Sequence, residues 1–347
     1  MNYDVVIATR NRPEALKVSI PLILNQNRAP RKLVIVDSSD DCERVNRTVT
    51  KIMADSPVKL EITNSEANSA QQRNIGLKYV ESPVVMFPDD DSLWWPGVAE
   101  AIMRIYERDE NGDIGGVSAD LIKLCPPQAH LEINSENKML FKDRLRQRIS
   151  GLRHILNCRI CSDPMYILGQ SFWKNSDVPG WMVDENASLT EYMAGCRMSF
   201  RTDAIRSVGG FDQDLGAFVG WAAYEDAAAS FAVMSRRALV TAHNAKVCHY
   251  TFPSQRGGGF ELGFINQFNR AYVICRYSPP CSTARRALKK FGHYKALQYL
   301  LGIKNRFGRD RIRGHLKALR AMKVLLESPP ECLRDRYLEQ CQKNLKG

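Results

Sequence analysis

Val84-Val85-Met86-Phe87-Pro88-Asp89-Asp90-Asp91-Ser92 carries the chain from four apolar residues into three consecutive carboxylates. The apolar run has the length of a buried strand, and the acidic turn marks its end. Three adjacent carboxylates repel one another, so the turn is a poor structural choice unless a cation offsets the charge. A hard divalent ion meets that need, because Mg²⁺ or Mn²⁺ takes one or two carboxylates and fills its shell with water and phosphate oxygens. The plainer alternative is an acidic, solvated turn; the buried strand that feeds it argues against that reading.

Upstream, the same rhythm of strand and helix repeats. Asp4 to Ala8 is a short β-branched run, followed by a helix start at Arg12-Pro13-Glu14, where proline's missing N–H costs nothing. Leu33 to Val36 reads as a second strand ending at Asp37, and Val58 to Ile62 as a third. Helical spacing links Leu16, Ile20, Ile23 and Leu24, then Val45, Val49, Ile52 and Met53, and a third helix spans Gln71 to Val80. Alternating strands and helices predict an α/β fold with right-handed crossovers and a mostly parallel central sheet covered on both faces. In such sheets ligands bind beyond the carboxyl ends of the strands. Those ends are polar: Thr9-Arg10-Asn11, Asp37-Ser38-Ser39 and Asp89-Asp90-Asp91. The glycine-rich phosphate loops of P-loop NTPases and of dinucleotide dehydrogenases are absent.

Six segments in order carry a resemblance: Val5 to Pro13, Val34-Ile35-Val36-Asp37-Ser38-Ser39, Gln72-Arg73-Asn74-Ile75-Gly76, Phe87-Pro88-Asp89-Asp90-Asp91, Gly209-Gly210-Phe211-Asp212 and Glu225-Asp226. Together they resemble the family-2 inverting glycosyltransferases, over about residues 3–250. The resemblance implies a GT-A fold, a nucleotide-binding α/β sandwich. It also implies that Thr9 and Asn11 line the nucleotide, that Asp37 accepts hydrogen bonds from the base, and that Arg73 contacts the donor near its diphosphate. Asp89 and Asp91 would form the D-x-D pair, Asp89 toward the ribose and metal and Asp91 on the metal, with Asp90 beside the donor between them. Pro88 departs from the apolar residue more usual there, a change tolerable at a strand's end.

In the second half, Ala194 to Phe200 reads as a strand and Thr202 starts a short helix that Gly209-Gly210 can end with a left-handed cap. A further helix from Tyr224 to Arg236 has Glu225 and Asp226 in its first turn, where carboxylates match the helix dipole and need no other reason to be. Displacement at an anomeric carbon, however, demands a base on the acceptor side and an electrophile behind the departing diphosphate. By the resemblance Asp226 is that base, kept ionised by the dipole, and Glu225 orients the acceptor. His249, at the end of a late strand, is implied as a third metal ligand, with His243 as competitor. Among Trp94, Trp95, Trp181 and Trp221, stacking on the acceptor sugar is assigned to Trp221, packing being the alternative.

The expected organisation is a GT-A glycosyltransferase domain over residues 1–255 and a basic helical C-terminal region over 256–347. Within the first lie a nucleotide-sugar-binding half (1–118), an acceptor-side insertion (119–190) with a basic patch around Lys142 and Arg144, and a catalytic-base half (191–255). Gly257-Gly258-Gly259 reads as a hinge or mobile loop. The formal charge of +11 is unevenly spread: residues 282–347 hold 17 Lys and Arg against 5 Asp and Glu, a net +12 that leaves −1 for the rest. Basic stripes such as Arg306, Arg309, Arg311 and Arg313 between apolar positions suggest an anionic membrane surface as partner; a solvated helical face is the alternative. A Q-x-x-R-W signature and long apolar spans are absent, so transfer of a single sugar, in the cytoplasm or on the inner membrane face, is expected. The cysteines, including the Cys158/Cys161 pair, are expected as free thiols. The expected partners are a nucleotide-diphosphate sugar, a UDP-sugar above other donors, and a glycan or lipid-linked acceptor. Nucleic acid is not expected, since no recognition module accompanies the basic tail. A sugar nucleotidyltransferase is the other alternative, but Ala8-Thr9-Arg10-Asn11 lacks the glycines such a loop needs.

Overall fold

The computed structural model describes residues 1–129, 163–165, 178–250, 252, 257–301, 303 and 305–345. Cys158, Cys161 and the basic patch at Lys142 and Arg144 lie outside the described residues. The chain divides into two compact units.

The first unit is built on one mixed sheet. Strands β1 (Tyr3–Thr9), β2 (Lys32–Asp37), β3 (Lys59–Asn64) and β4 (Val84–Phe87) are parallel in the order β3-β2-β1-β4. Thr9 stands beside Asp37, and Asp37 beside Asn64, so these strands end together. Helices α1 (Pro13–Leu24) and α2 (Cys42–Met53) cover one face, where Leu16, Ile20, Val45 and Val49 pack with Val5, Ile7, Leu33 and Ile35. Residues alternate across a strand, so Val6 and Val36 face the other way. Helix α3 (Ser69–Lys78) meets them there, so closely that a β-carbon at Gly76 would overlap Val6 Cγ1.

Beyond β4 the sheet changes sense. β8 (Met198–Arg201) runs antiparallel to β4, followed by β6 (Ile114–Ile122) and β9 (Ala238–His249), with β5 (Ser92–Trp94) at the edge and β7 (Ala187–Leu189) also on β9. Helices α4 (Val98–Arg108), α5 (Trp181–Asp184), α6 (Thr202–Ser207) and α7 (Glu225–Met234) complete the unit. Gly209 and Gly210 have φ of 83° and 79° after α6, the left-handed cap that the sequence suggests.

Two expectations are corrected here. The strand expected from Ala194 starts only at Met198; Gly195–Arg197 form a 3-10 turn, and the Gly195 N–H goes to a side-chain carboxylate. Cys125 and Cys248 form a disulfide where free thiols were expected, because β6–β9 pairing sets Ile122 beside Cys248 and the chain then turns Cys125 onto it. Cys42, Cys196, Cys275, Cys281 and Cys332 are free thiols.

The second unit is helical: α8 (Gly259–Tyr277), α9 (Thr283–Leu301), α10 (Arg306–Glu327) and α11 (Leu333–Leu345). The backbones of α8 and α10 nearly touch, since a β-carbon at Gly263 would overlap the Arg311 carbonyl and one at Gly314 that of Phe260. Gly259, expected in a loop, starts α8 against the Phe307 carbonyl, so its lack of a side chain serves packing. Phe268, Tyr272 and Tyr337 stack in the core, and buried Arg285 donates to the Cys275 and Ser278 carbonyls. No described helix is long and apolar enough to cross a membrane.

Candidate active site

The site lies where the parallel strands end. Gln72, on α3, donates from Nε2 to the carbonyls of Thr9 at 2.9 Å and Val36 at 2.8 Å, which ties the ends of β1 and β2 together. Asn11 has a left-handed backbone with φ of 54°, donates its N–H to Ser39 Oγ at 2.6 Å, and exchanges two side-chain bonds with Asp40. Asp37 is buried; Oδ1 accepts from the Ser39 N–H and hydroxyl, while Oδ2 is buried without a hydrogen-bond partner. Burial raises its pKa, with Ser39 pulling the other way.

The acidic turn is held from within. The Asp89 N–H donates to Ser92 Oγ, and that hydroxyl donates to the Cys196 carbonyl. Ser92 opens β5, whose pairing with β9 sets it opposite His249. In consequence His249 Nε2 stands 2.9 Å from Asp91 Oδ1 and 3.8 Å from Asp89 Oδ2. The ligand atoms of Asp89, Asp91 and His249 all lie within 4.8 Å of one another. Two carboxylate oxygens and one imidazole nitrogen form a donor set that fits a hard divalent ion with room for phosphate oxygens.

Arg12 closes the other edge of the turn. It donates from Nη1 to Asp90 Oδ1 at 2.6 Å, and from Nη2 to Asp91 Oδ2 at 2.5 Å and the Phe252 carbonyl at 3.1 Å. Asp91 therefore divides its two oxygens, one to Arg12 and one toward His249. Asp90 is turned to β1, where it also accepts from Thr9 Oγ1 at 2.8 Å. Burial pushes the Asp90 carboxyl up to about 7 against the attraction of Arg12. Burial also raises Asp91, but His249 and Arg12 outweigh it and the net shift is downward.

On the far side stands Arg73, fully buried on α3. It donates from Nη1 to Glu225 Oε1 at 2.5 Å and from Nη2 to Asp89 Oδ1 at 2.8 Å, which keeps it charged despite burial. Asp226 accepts from the Gly195 N–H at 2.8 Å and from its own neighbour Ala227 at 2.7 Å. Three groups converge on Gly195: a β-carbon built there would stand 3.2 Å from Arg73 Nη2 and 3.7 Å from both Asp226 Oδ2 and Asp89 Oδ1. Asp226 lies under opposing influences. Burial, and then the charge of Glu225, raise its pKa beyond what the two N–H donors and Arg73 offset. Tyr224, just before, has φ of 70°, so this side-chain pair is presented from a strained backbone.

The predicted residues thus fall into connected groups. Asp89, Asp91 and His249 converge; Arg73 bridges Asp89 to Glu225; Asp226 reaches the same point through Gly195. Glu225 is buried in the ion pair with Arg73. Thr9 touches Asp90 and no other predicted residue in hydrogen bonding, and Asn11 and Asp37 form a separate Ser39-linked group. Trp221 is half-buried, with its Nε1 buried and unpartnered. His243 instead bonds Ser188 and faces Asp120, away from the acidic turn. Sequence reading missed Arg12, whose only signal was its place in the first motif, and the Gly195 N–H, which has none.

The family model "Glycosyl transferase family 2" matches residues 4–158. No curated protein matches the chain in sequence. Among solved structures, S. aureus TarS 1-349 in complex with UDP-GlcNAc aligns with a TM-score of 0.53 at 12% identity, covering 100% of this chain and 91% of that one. S. aureus TarS 1-349 in complex with UDP aligns at 0.49 and 13% identity, covering 100% and 90%. The first of these likenesses supports the GT-A fold, and the match to the family-2 glycosyltransferase model, over residues 4–158, takes in the strand ends and the acidic turn described above.

Proposed function

We propose that this enzyme moves one sugar, with inversion, from a nucleotide-diphosphate donor to a hydroxyl of a glycan or lipid-linked acceptor, with a UDP-sugar as the donor. The observation that carries this reading is that Asp89, one of the clustered Asp89, Asp91 and His249, and Asp226 come together at Gly195, each 3.7 Å from a β-carbon built there. The buried, unpartnered Oδ2 of Asp37 suits an N–H of the base, and a uracil offers one. The fold neighbour bound to UDP-GlcNAc agrees with a uridine donor. Thr9, Asn11 and Asp90 would border the nucleotide, and the unpartnered indole N–H of Trp221 would meet the acceptor.

In the reaction the acceptor hydroxyl oxygen bonds to the anomeric carbon while its proton passes to an Asp226 carboxylate oxygen. The bond from that carbon to the diphosphate oxygen breaks, and its electron pair leaves with the diphosphate. Asp89, Asp91 and His249 would hold Mg²⁺ or Mn²⁺, which when bound supplies positive charge against the departing diphosphate. Arg73 fixes Asp89 and Glu225, and Arg12 holds Asp91 so that one oxygen stays turned toward His249. The raised pKa of Asp226 suits a base near neutral pH, because a carboxylate closer to the ambient pH accepts a proton more readily.

Donor hydrolysis and transfer, measured over a panel of nucleotide sugars with and without Mn²⁺ or Mg²⁺, test the reading. Asp91→Ala should lose the metal response, and Asp226→Asn should lose transfer while still binding donor. Transfer that survives both substitutions would refute it.

A further inference from the structure

Exposed apolar side chains and positive charge meet on one helix of the second unit. Between Ser282 and Arg309 the sequence has no acidic residue. Helix α9 buries Leu288, Phe291, Gly292 and Ala296 along one side. On its opposite side Arg286, Lys290, His293, Leu297 and Leu301 follow at steps of three or four residues, and all are exposed. Leu297 and Leu300 are each 53% exposed and Leu301 75%. Phe307, in the first turn of α10, is 46% exposed, flanked by exposed Arg306 and Arg309. Among the described residues, the ion pairs recorded for Arg306 and Arg313 are both with Asp310, so the positive charge is barely offset.

This combination selects its occupant. A polyanion in water would use the cations and leave the leucines wet, and a second copy of the chain would cover the leucines while bringing its own cations against these. A bilayer carrying acidic headgroups satisfies both at once, since an amphipathic helix lying in the interface sinks its apolar side chains to the acyl boundary and keeps its cations among the phosphates. We propose that the outward face of α9, with the start of α10, seats this enzyme on an anionic phospholipid surface. Leu297, Leu300, Leu301 and Phe307 enter the acyl boundary, and Arg286, Lys290, Arg306 and Arg309 meet the headgroups. The inference does not depend on the transfer chemistry, so each can fail without the other.

The test is sedimentation of the full chain with vesicles of phosphatidylcholine alone or mixed with phosphatidylglycerol. Binding is expected on the mixed vesicles and should fall as salt is raised. Leu297→Ser with Leu301→Ser should lower partitioning by about tenfold or more, since two large apolar groups no longer leave water. Arg306→Gln with Arg309→Gln should cost roughly fivefold per charge and weaken the salt dependence. All four positions are exposed, so melting temperatures should stay unchanged and report that the variants fold. The proposal is overturned if the serine variant binds vesicles as the parent does, or if the parent ignores anionic lipid. Self-association in analytical ultracentrifugation that the serine variant abolishes, without vesicle binding, would assign the face to a second copy; retention on a soluble polyanion alone would assign it to that class.

Discussion

Asp91, buried, and Asp226, half-buried, are carboxylates at one site, yet their ionisation is biased in opposite directions. Asp91 sits between the guanidinium of Arg12 and the imidazole of His249, and its pKa falls despite burial. Asp226 has two backbone N–H donors and a carboxylate neighbour, Glu225, whose own cation is shared with Asp89; its pKa rises. Burial alone therefore does not assign a role. The imidazole and guanidinium beside Asp91 favour its anion, whereas Asp226, with a carboxylate neighbour and only a shared cation nearby, takes a proton more readily.

The largest expected effect separates the two directly. Asp226→Asn keeps the shape and removes the proposed base, so kcat should fall by about 10³-fold with donor affinity intact, by comparison of single-turnover rates with isothermal titration. A fall in donor affinity alone would move Asp226 to the binding side of the comparison. Next comes the shared cation. Arg73→Met leaves Glu225 and Asp89 without their buried partner and should destabilise the fold by about 3–5 kcal/mol in urea unfolding, and adding Glu225→Met should recover part of that loss.

A smaller effect is expected from the metal response of the acidic side. Mn²⁺ at roughly 100 times its Kd should stabilise the parent by about 2.7 kcal/mol, a gain that chelation reverses and Asp91→Asn abolishes. If Asp226→Asn abolished it as well, the division between the two carboxylates would be lost. The subtlest is a pH shift. Asp226 must be ionised to accept a proton and its pKa is raised, so kcat should rise with pH through a limb above the usual carboxylate range. Glu225→Gln removes a raising influence, and the limb should then move to lower pH; an upward move would break the argument.

Much of the parallel half was legible because its signals are local. The apolar runs at Val5, Leu33 and Val84 and the polar residues after them mark strand and strand end within a few positions, and the acidic turn is contiguous. The second half was less so. The Ala194 segment has strand-like composition, but its first residues leave the ladder when the Gly195 N–H meets Asp226. Cys125 and Cys248 lie 123 residues apart, and nothing near either names the other. Glu225 looks equally fit to face an acceptor or a partner until Arg73 arrives from α3.

By itself, then, the order of residues determined an α/β domain whose strand ends are polar, a triple carboxylate that repels itself, and a C-terminal stretch rich in positive charge, because periodicity and like-charge proximity act over neighbouring residues. The tertiary structure alone decided which carboxylate is biased toward its anion and which toward taking a proton. That choice depends on Arg12, His249, Glu225 and the Gly195 N–H meeting in space through β5–β9 pairing and the approach of α3 and α7, and an ionisation equilibrium responds to distance and burial rather than to sequence separation.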